Sequence, residues 1–482
     1  GYFSQTQTDY GLDEQKAKTT TYIKRWKLVP KDIEAYNRGE LVEPIKPIVY
    51  YIDPATPEKW RKYLKQGVDD WQVAFEQAGF KNAIFCKYPP SKEEDPDWSP
   101  EDARYSVIRY FASDIQNAYG PHTADPRTGE ILESDIGWYH NVMNLLRNWY
   151  LVQTAAVNES SRSVKFEDEV MGQLIRFVSA HEVGHTIGLP HNMGSSYAYP
   201  VDSLRSKTFT SNHGVAPSIM DYARFNYVAQ PEDNVSNFYP MVGTYDKWSI
   251  KWGYSYFHDE TTKSEQKILN EWIKSHAGDY EYWFGYYNGI DPRSQTESIG
   301  DDNMKASYYG LENLKRIVPN IIKWSYEEGK EYDDLKELYL NVVSQFRRYI
   351  GHVTTNVGGI LEDIKSYDQD GPVYVHVNKE QQKRAISFLN SYVFNSLDWM
   401  VNYEVLEKIE NIGSVERIRQ VQMYALNRLF DYSRLARMIE NEEKNKTSAY
   451  TINEMIKDLN KSIWKNLNSN SVISLYERNL QK

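Results

Sequence analysis

The sequence predicts an α+β protein in which a strand-rich first half leads into a mostly helical second half. Three observations carry this. Up to the middle of the chain, β-branched and aromatic runs bounded by turn residues alternate with segments of three- to four-residue apolar spacing. One such segment, Phe166 to Gly188, is long and opens on three consecutive acids. After about Glu260 the texture changes to long charged stretches of helical periodicity. At 482 residues the chain exceeds what one core ordinarily organises, so at least two packed units are expected.

Taken in order, residues 1–45 read as a polar N-terminal lead-in with a short helix near Pro30 to Arg38. Pro47 to Asp53 is a β-branched and aromatic run closed by Asp-Pro, hence a strand. A helix follows from Pro57, with Trp60, Leu64, Gly67, Trp71, Phe75 and Ala78 on one face and Gly79 as its stop. Ala83 to Tyr88 and Tyr105 to Ala112 are two further strands, and Gly129 to His140 reads as an edge strand, being poor in apolar residues on one face. The helix Phe166 to Gly188 carries Glu167, Asp168 and Glu169 in its first turn, where acids favour the dipole. Residues 46–260 are expected to form one unit. Residues 261–482 form a second, mainly helical one packed on it, with helices over Tyr332 to Tyr349, Lys379 to Phe394 and Val415 to Asn441.

Composition excludes several classes. Hydrophobic residues at 40%, with 13 Trp and 39 Tyr, supply ample core material, so wholesale disorder is out. A formal charge of −11 without a long basic run counts against a nucleic-acid binder. No stretch approaches the roughly 20 apolar residues of a membrane span. Cys86 is the only cysteine, which rules out an internal disulfide and a cysteine-based metal site. The chain opens Gly-Tyr-Phe, with neither an initiator Met nor a charged-then-apolar leader, and reads as a piece of a longer product.

The chemistry concentrates in His181-Glu-Val-Gly-His-Thr-Ile-Gly-Leu-Pro-His191, the pattern HExxHxxGxxH. Residues four apart share a helix face, so His181 and His185 can present imidazoles to one ion. Glu182 stands beside them, where it can take a proton from water at the ion. Gly188 allows a left-handed exit from the helix, so that His191 returns as a third ligand. Three neutral imidazoles leave a fourth position for water, the mark of a catalytic zinc site. With His at only 10 of 482 positions, the five fixed positions have a chance expectation on the order of 10⁻⁵.

Downstream lies Pro217-Ser-Ile-Met-Asp-Tyr222. Together with the eleven-residue motif it resembles the metzincin clan of zinc metallopeptidases. The resemblance implies a twisted mixed sheet with an active-site helix, Met220 as a turn residue beneath the metal, and Tyr222 as a hydroxyl near the zinc or the oxyanion. Tyr119 to Ile131, His191-Asn192, Tyr245 to Tyr254 and Gly300 to Lys315 are similar to a large zinc-dependent metzincin family of Bacteroidetes, across most of the chain. That similarity implies bacterial origin and an exported location. Asn192 departs from better-known metzincin families, which place an acid or Pro there, so their substrate rules are not transferred.

The expected activity is therefore a zinc-dependent endopeptidase with Glu182 as general base, acting on a peptide or protein substrate. An extended substrate is expected to add to the edge strand Glu130, Ile131, Leu132, Glu133, Ser134, Asp135, Ile136, Gly137, Trp138 and Tyr139. His122 and His140 flank that strand, and His213 precedes the Met turn, but loop packing is the expected role for each. Asp301 and Asp302 read as helix caps rather than calcium ligands, and Trp248 and Trp252 as core. The alternatives are a catalytically silent zinc-containing module that binds protein or glycan at the cell surface, and a hydrolase of another carbonyl.

Overall fold

The computed structural model describes residues 1–11, 15–258, 260–395, 397–411, 413–467 and 472–482. At its centre is a five-stranded mixed sheet of β1 (Ile48–Ile52), β2 (Ile84–Lys87), β3 (Ser106–Phe111), β4 (Ala118–Tyr119) and β5 (Ile136–Tyr139), in the order β2-β1-β3-β5-β4. Four strands are parallel; β4 is antiparallel to β5, with Ala118 opposite Trp138 and Tyr119 opposite Gly137. In β1 the residues Ile48, Tyr50 and Ile52 point into the core while Val49 and Tyr51 are half-covered, the period-2 pattern of a strand.

The helix α1 (Asp168–Thr186) crosses the sheet beside the helix Glu58–Asp69. Gly67 makes the crossing close, since a methyl group there would overlap Ser179 and the α1 backbone. The Trp71 indole N–H donates to Ala180 O (2.8 Å), the Ser179 hydroxyl to Leu64 O (2.8 Å), and the Tyr50 hydroxyl to Thr186 Oγ1 (2.6 Å). These bonds fix α1 along its length, so the end that carries the histidines has a defined place over the sheet.

Two apolar cores are built. The first, around the sheet, includes Tyr50, Trp71, Phe75, Trp138, Val183 and Met220. The second centres on the long helix α2 (Asp333–Thr355) and draws on α3 (Ser414–Leu429), with Met438 added by α4 (Tyr432–Asn445), and it also takes in Tyr199, Val215, Tyr227 and Val228 from the first half of the chain. The α+β class, the mixed sheet and the helical C-terminal part agree with the sequence. Among the described residues no helix is long and apolar enough to cross a membrane.

Several elements differ in detail. The helix expected from Pro57 to Gly79 is two, Glu58–Asp69 and Gln72–Glu76. The stretch Val415 to Asn441 is also two, α3 and α4, broken where the Asp431 carboxylate turns to accept the Arg434 N–H (3.1 Å). The lead-in contains a hairpin, Ser4–Asp9 paired with Lys18–Ile23. It is exposed on most positions, so it shows no apolar alternation in sequence.

The edge-strand reading of Gly129 to His140 is corrected. Ile131–Glu133 pairs with Thr123–Ala124 in a separate ribbon, whereas Ile136–Tyr139 is interior, held by β3 on one side and β4 on the other. The break falls at Ser134-Asp135. Ser134 is buried, its N–H donating to Ser106 Oγ (3.1 Å), and the Asp135 carboxylate accepts the Val107 N–H (2.8 Å). Ile136, Gly137 and Trp138 are all buried, and the Tyr119 ring covers Gly137 so closely that no Cβ would fit. The strand is covered on both faces, which is why its sequence does not alternate.

Candidate metal centre

α1 brings His181 and His185 onto one face, one turn apart. The helix ends at Thr186, and Gly188 then takes φ +98°, with its N–H bonded to His185 O (3.1 Å) and Leu189 N–H to Gly184 O (3.0 Å). A side chain is excluded at Gly188 twice over, by that φ and by the Lys24 carbonyl, which a Cβ would overlap. The chain therefore reverses and returns His191 to the other two.

The three imidazoles converge. His185 Nε2 lies 3.1 Å from His191 Nε2, and His191 Nε2 lies 3.2 Å from His181 Nε2. Behind them, His181 Nδ1 faces Ile219 O and His185 Nδ1 faces Leu189 O, each at 2.8 Å. A carbonyl accepts only, so each Nδ1 carries the proton and each opposing Nε2 offers a bare lone pair. Burial, and then the neighbouring imidazoles, hold His181 well below the usual histidine range; burial lowers His185 to about 4 and His191 to about 3. Three neutral imidazoles crowded around one point, two of them with Nε2 lone pairs fixed by their Nδ1 bonds, fit a cation.

Glu182 is 7% exposed, and burial pushes its carboxyl up to about 7 against the lowering influence of Arg224 and the Gly120 N–H. Gly120 follows directly on β4, and a methyl group there would overlap the Glu182 carbonyl, so the segment after β4 lies against α1. Met220 is fully buried beneath α1. Its sulfur occupies the space where Gly184 has no side chain. The turn that presents it is tied by one carboxylate: Asp246 accepts the Ser218 hydroxyl (2.6 Å), the Ile219 N–H (2.8 Å) and the Gly243 N–H (2.9 Å). Asn192 N–H donates to Met220 O (3.0 Å), joining the end of the motif to the turn.

A family profile described as Met-zincin matches residues 163–471, which takes in the triad, the turn and most of the helical part. The chain belongs to the Met-zincin family. A profile described as a domain of unknown function (DUF5117) matches residues 1–31. No curated protein and no solved structure matches the chain.

In this Met-zincin, Tyr222 stands against the triad, its ring centroid 4.2 Å from that of His191 and 5.3 Å from that of His181. The Arg224 guanidinium is sandwiched between Tyr222 (4.3 Å) and Trp149 (3.6 Å) and faces the buried Glu297 carboxylate at 3.5 Å. Glu297 N–H in turn donates to Tyr222 O (2.8 Å), and its carboxylate pairs with Arg348 on α2 (3.0 Å). Arg224 and Glu297 both take φ +58°, in the left-handed region that favours glycine. Sequence reasoning missed this pair, as it missed Asp246 and the structural role of the buried Asn192, whose side-chain amide donates to Trp283 O (2.9 Å) and accepts the Gly285 N–H (2.8 Å). The sequence signal was weak: each is an ordinary polar residue, and Glu297 lies far along the chain from Tyr222.

The remaining candidates divide. His122 packs its ring on Phe3 (5.4 Å), and Phe3 also reaches His185 (6.0 Å), so the lead-in borders the centre. His140 bonds the Tyr110 hydroxyl at the far end of β5, and His213 stacks on Phe209 (4.6 Å). Asp302 caps the helix Asn303–Ile317 through Met304 and Lys305 N–H, and Asp301 accepts the Val201 N–H (3.0 Å). Trp248 and Trp252 are half-buried rather than core. Of the segment 130–139, Leu132 is exposed, Ile131, Ser134, Ile136, Gly137 and Trp138 are buried, and Glu130, Glu133, Asp135 and Tyr139 are half-covered. Cys86 is a buried free thiol.

Proposed function

We propose that this Met-zincin is a zinc-dependent endopeptidase whose metal is held by His181, His185 and His191. The observation that carries the reading is the convergence of the Nε2 atoms of three neutral imidazoles beside the buried carboxyl of Glu182. An all-imidazole donor set suits zinc. When bound, zinc would supply Lewis-acid activation of water and of a peptide carbonyl.

The chain's own groups do the rest. Glu182, desolvated and raised into the neutral range, takes a proton from the attacking water on its carboxylate and hands it to the departing amine. In this reading the Tyr222 hydroxyl, on a ring that stands against the triad, donates to the carbonyl oxygen as charge develops there. Gly188 and Met220 position the ligands without touching the substrate.

For substrate binding, Glu130 to Tyr139 offers less than a free edge would, since the β5 backbone is paired on both sides. The outer side of Ala118–Tyr119 faces no other strand among the described residues, and it leads straight to Gly120 beside Glu182. We assign strand-type addition of an extended peptide to that edge, with Leu132 and Glu133 on the adjacent ribbon at its margin. We keep the division into a lead-in 1–45, a catalytic unit over 46–260 and a helical unit over 261–482 packed on it, with the second apolar core shared across residue 260. Export from a bacterial cell rests on the resemblance of the quoted segments.

The test is metal analysis of purified protein, followed by digestion of a broad peptide library with and without chelator. Chelator-sensitive cleavage at internal bonds is expected. One equivalent of zinc with no cleavage of any peptide would point instead to the silent binding module, and cleavage of non-peptide carbonyls alone to another hydrolase.

A further inference from the structure

Seven arginines and a single carboxylate, Asp431, line two adjoining cavities of about 770 and 590 Å³ between α2, α3 and α4. In a chain of net charge −11, such a concentration of one sign is not a chance surface. Three of the seven have carboxylate partners: Arg348 pairs with Glu297, Arg417 with Glu410 and Arg419 with Glu416. The other four, Arg347, Arg428, Arg434 and Arg437, meet no carboxylate within ion-pair distance among the described residues. Arg428 donates to Thr354 Oγ1 (2.9 Å) and Thr355 Oγ1 (3.2 Å), Arg437 to Gly358 O (2.7 Å), and Arg434 to Arg428 O (2.7 Å), Thr354 O and Val357 O. These neutral acceptors satisfy N–H groups without supplying charge, so that among the cavity-lining groups only the Asp431 carboxylate offsets these cations, acting on Arg434 and Arg437. Asp431 is already engaged at the start of α4.

Arg434 is the clearest case. It is 5% exposed, and burial together with the charges of Arg428 and Arg437 lowers its guanidinium to about 9. Arg347 is exposed, lies over the Tyr424 ring at 4.6 Å, and lines both cavities. Guanidinium forks match oxyanions bidentately. Cavities of this size suit a small molecule rather than a polymer.

From this cleft we propose a second ligand site: it binds a small polyanion with at least two oxyanion groups, phosphate or carboxylate, that neutralises Arg347, Arg428, Arg434 and Arg437. The site is separate from the histidine centre and does not depend on the activity assigned there.

The experiment is calorimetric titration of the metal-loaded chain in 0.15 M NaCl with three probes that chelate zinc weakly: glucose 1,6-bisphosphate, benzene-1,3,5-tricarboxylate and inorganic phosphate. Saturable one-to-one binding of the bisphosphate or the tricarboxylate is expected, at least tenfold tighter than phosphate, and whichever binds names the oxyanion. Arg347→Gln, at an exposed position, and Arg428→Gln should each weaken it at least fivefold, with near-ultraviolet dichroism showing the fold intact. Lys267→Gln, outside the cleft, should not. Absence of saturable binding by both polyanions, or binding unaltered by Arg347→Gln, overturns the proposal.

Discussion

Gly184 and Met220 occupy each other's space: the glycine sits between the two helix histidines, and the methionine sulfur fills the position its side chain would take. Trp71 closes the same pocket from the other side. Gly184→Ala is therefore an overpacking change at a fully buried point, costing about 1–3 kcal/mol and tilting the histidines. Denaturant midpoints and bound metal per chain should both fall. A variant as stable and as well loaded as the parent shows that the turn does not support α1.

Glu182→Gln keeps the shape of the side chain and removes the proposed base. Metal content should stay near that of the parent while kcat/KM falls by about a thousandfold. Cleavage at the parental rate would remove Glu182 from the mechanism, whatever the metal does.

Tyr222→Phe deletes a hydroxyl and leaves the ring against His191. Turnover is expected to drop by roughly a hundredfold with KM little changed, because the lost interaction belongs to the developing oxyanion. An equal rise in KM with unchanged kcat would mean that the ring serves ground-state binding.

Asp246→Ala strips one acceptor from three donors at the Met turn, the Ser218 hydroxyl and the Ile219 and Gly243 N–H groups. Buried donors without partners make this a loss of about 3 kcal/mol or more. Thermal unfolding with and without metal checks it; a variant that melts like the parent would show that water replaces the carboxylate.

His352 supplies the pH dependence. Burial lowers it to about 3, and its Nε2–H donates to Thr296 O (2.9 Å). The folded protein thus keeps it neutral where the unfolded chain protonates it near 6.5, so its contribution is complete above that pH. The contribution is lost as pH falls from 6.5 toward 3, at about 1.4 kcal/mol per pH unit. His352→Gln should be less stable than the parent at pH 7.5, yet the gap should narrow on acidification to pH 4.5. A gap constant with pH would contradict this reading.

The parts of the centre that sequence made legible are those encoded by short spacing. His181, Glu182, His185, Gly188 and His191 lie within eleven residues, and a helix followed by a left-handed glycine turns that spacing into geometry. Met220 and Tyr222 were legible as a second local pattern. What escaped depends on partners distant in the chain: Glu297 reaching Tyr222, Asp246 holding the turn, the Tyr119 ring covering Gly137. The exposed hairpin at Ser4–Asp9 escaped for the opposite reason, since a strand with no buried face leaves no apolar rhythm to read.

Tyr199, Val215, Tyr227 and Val228 flank the Met turn in sequence, yet they are packed among the C-terminal helices. Dissection of this protein at residue 260 would bare that greasy underside to water and cut away the Glu297 grip on Tyr222. A chain shortened there would inherit all three histidines and lose the floor on which they stand.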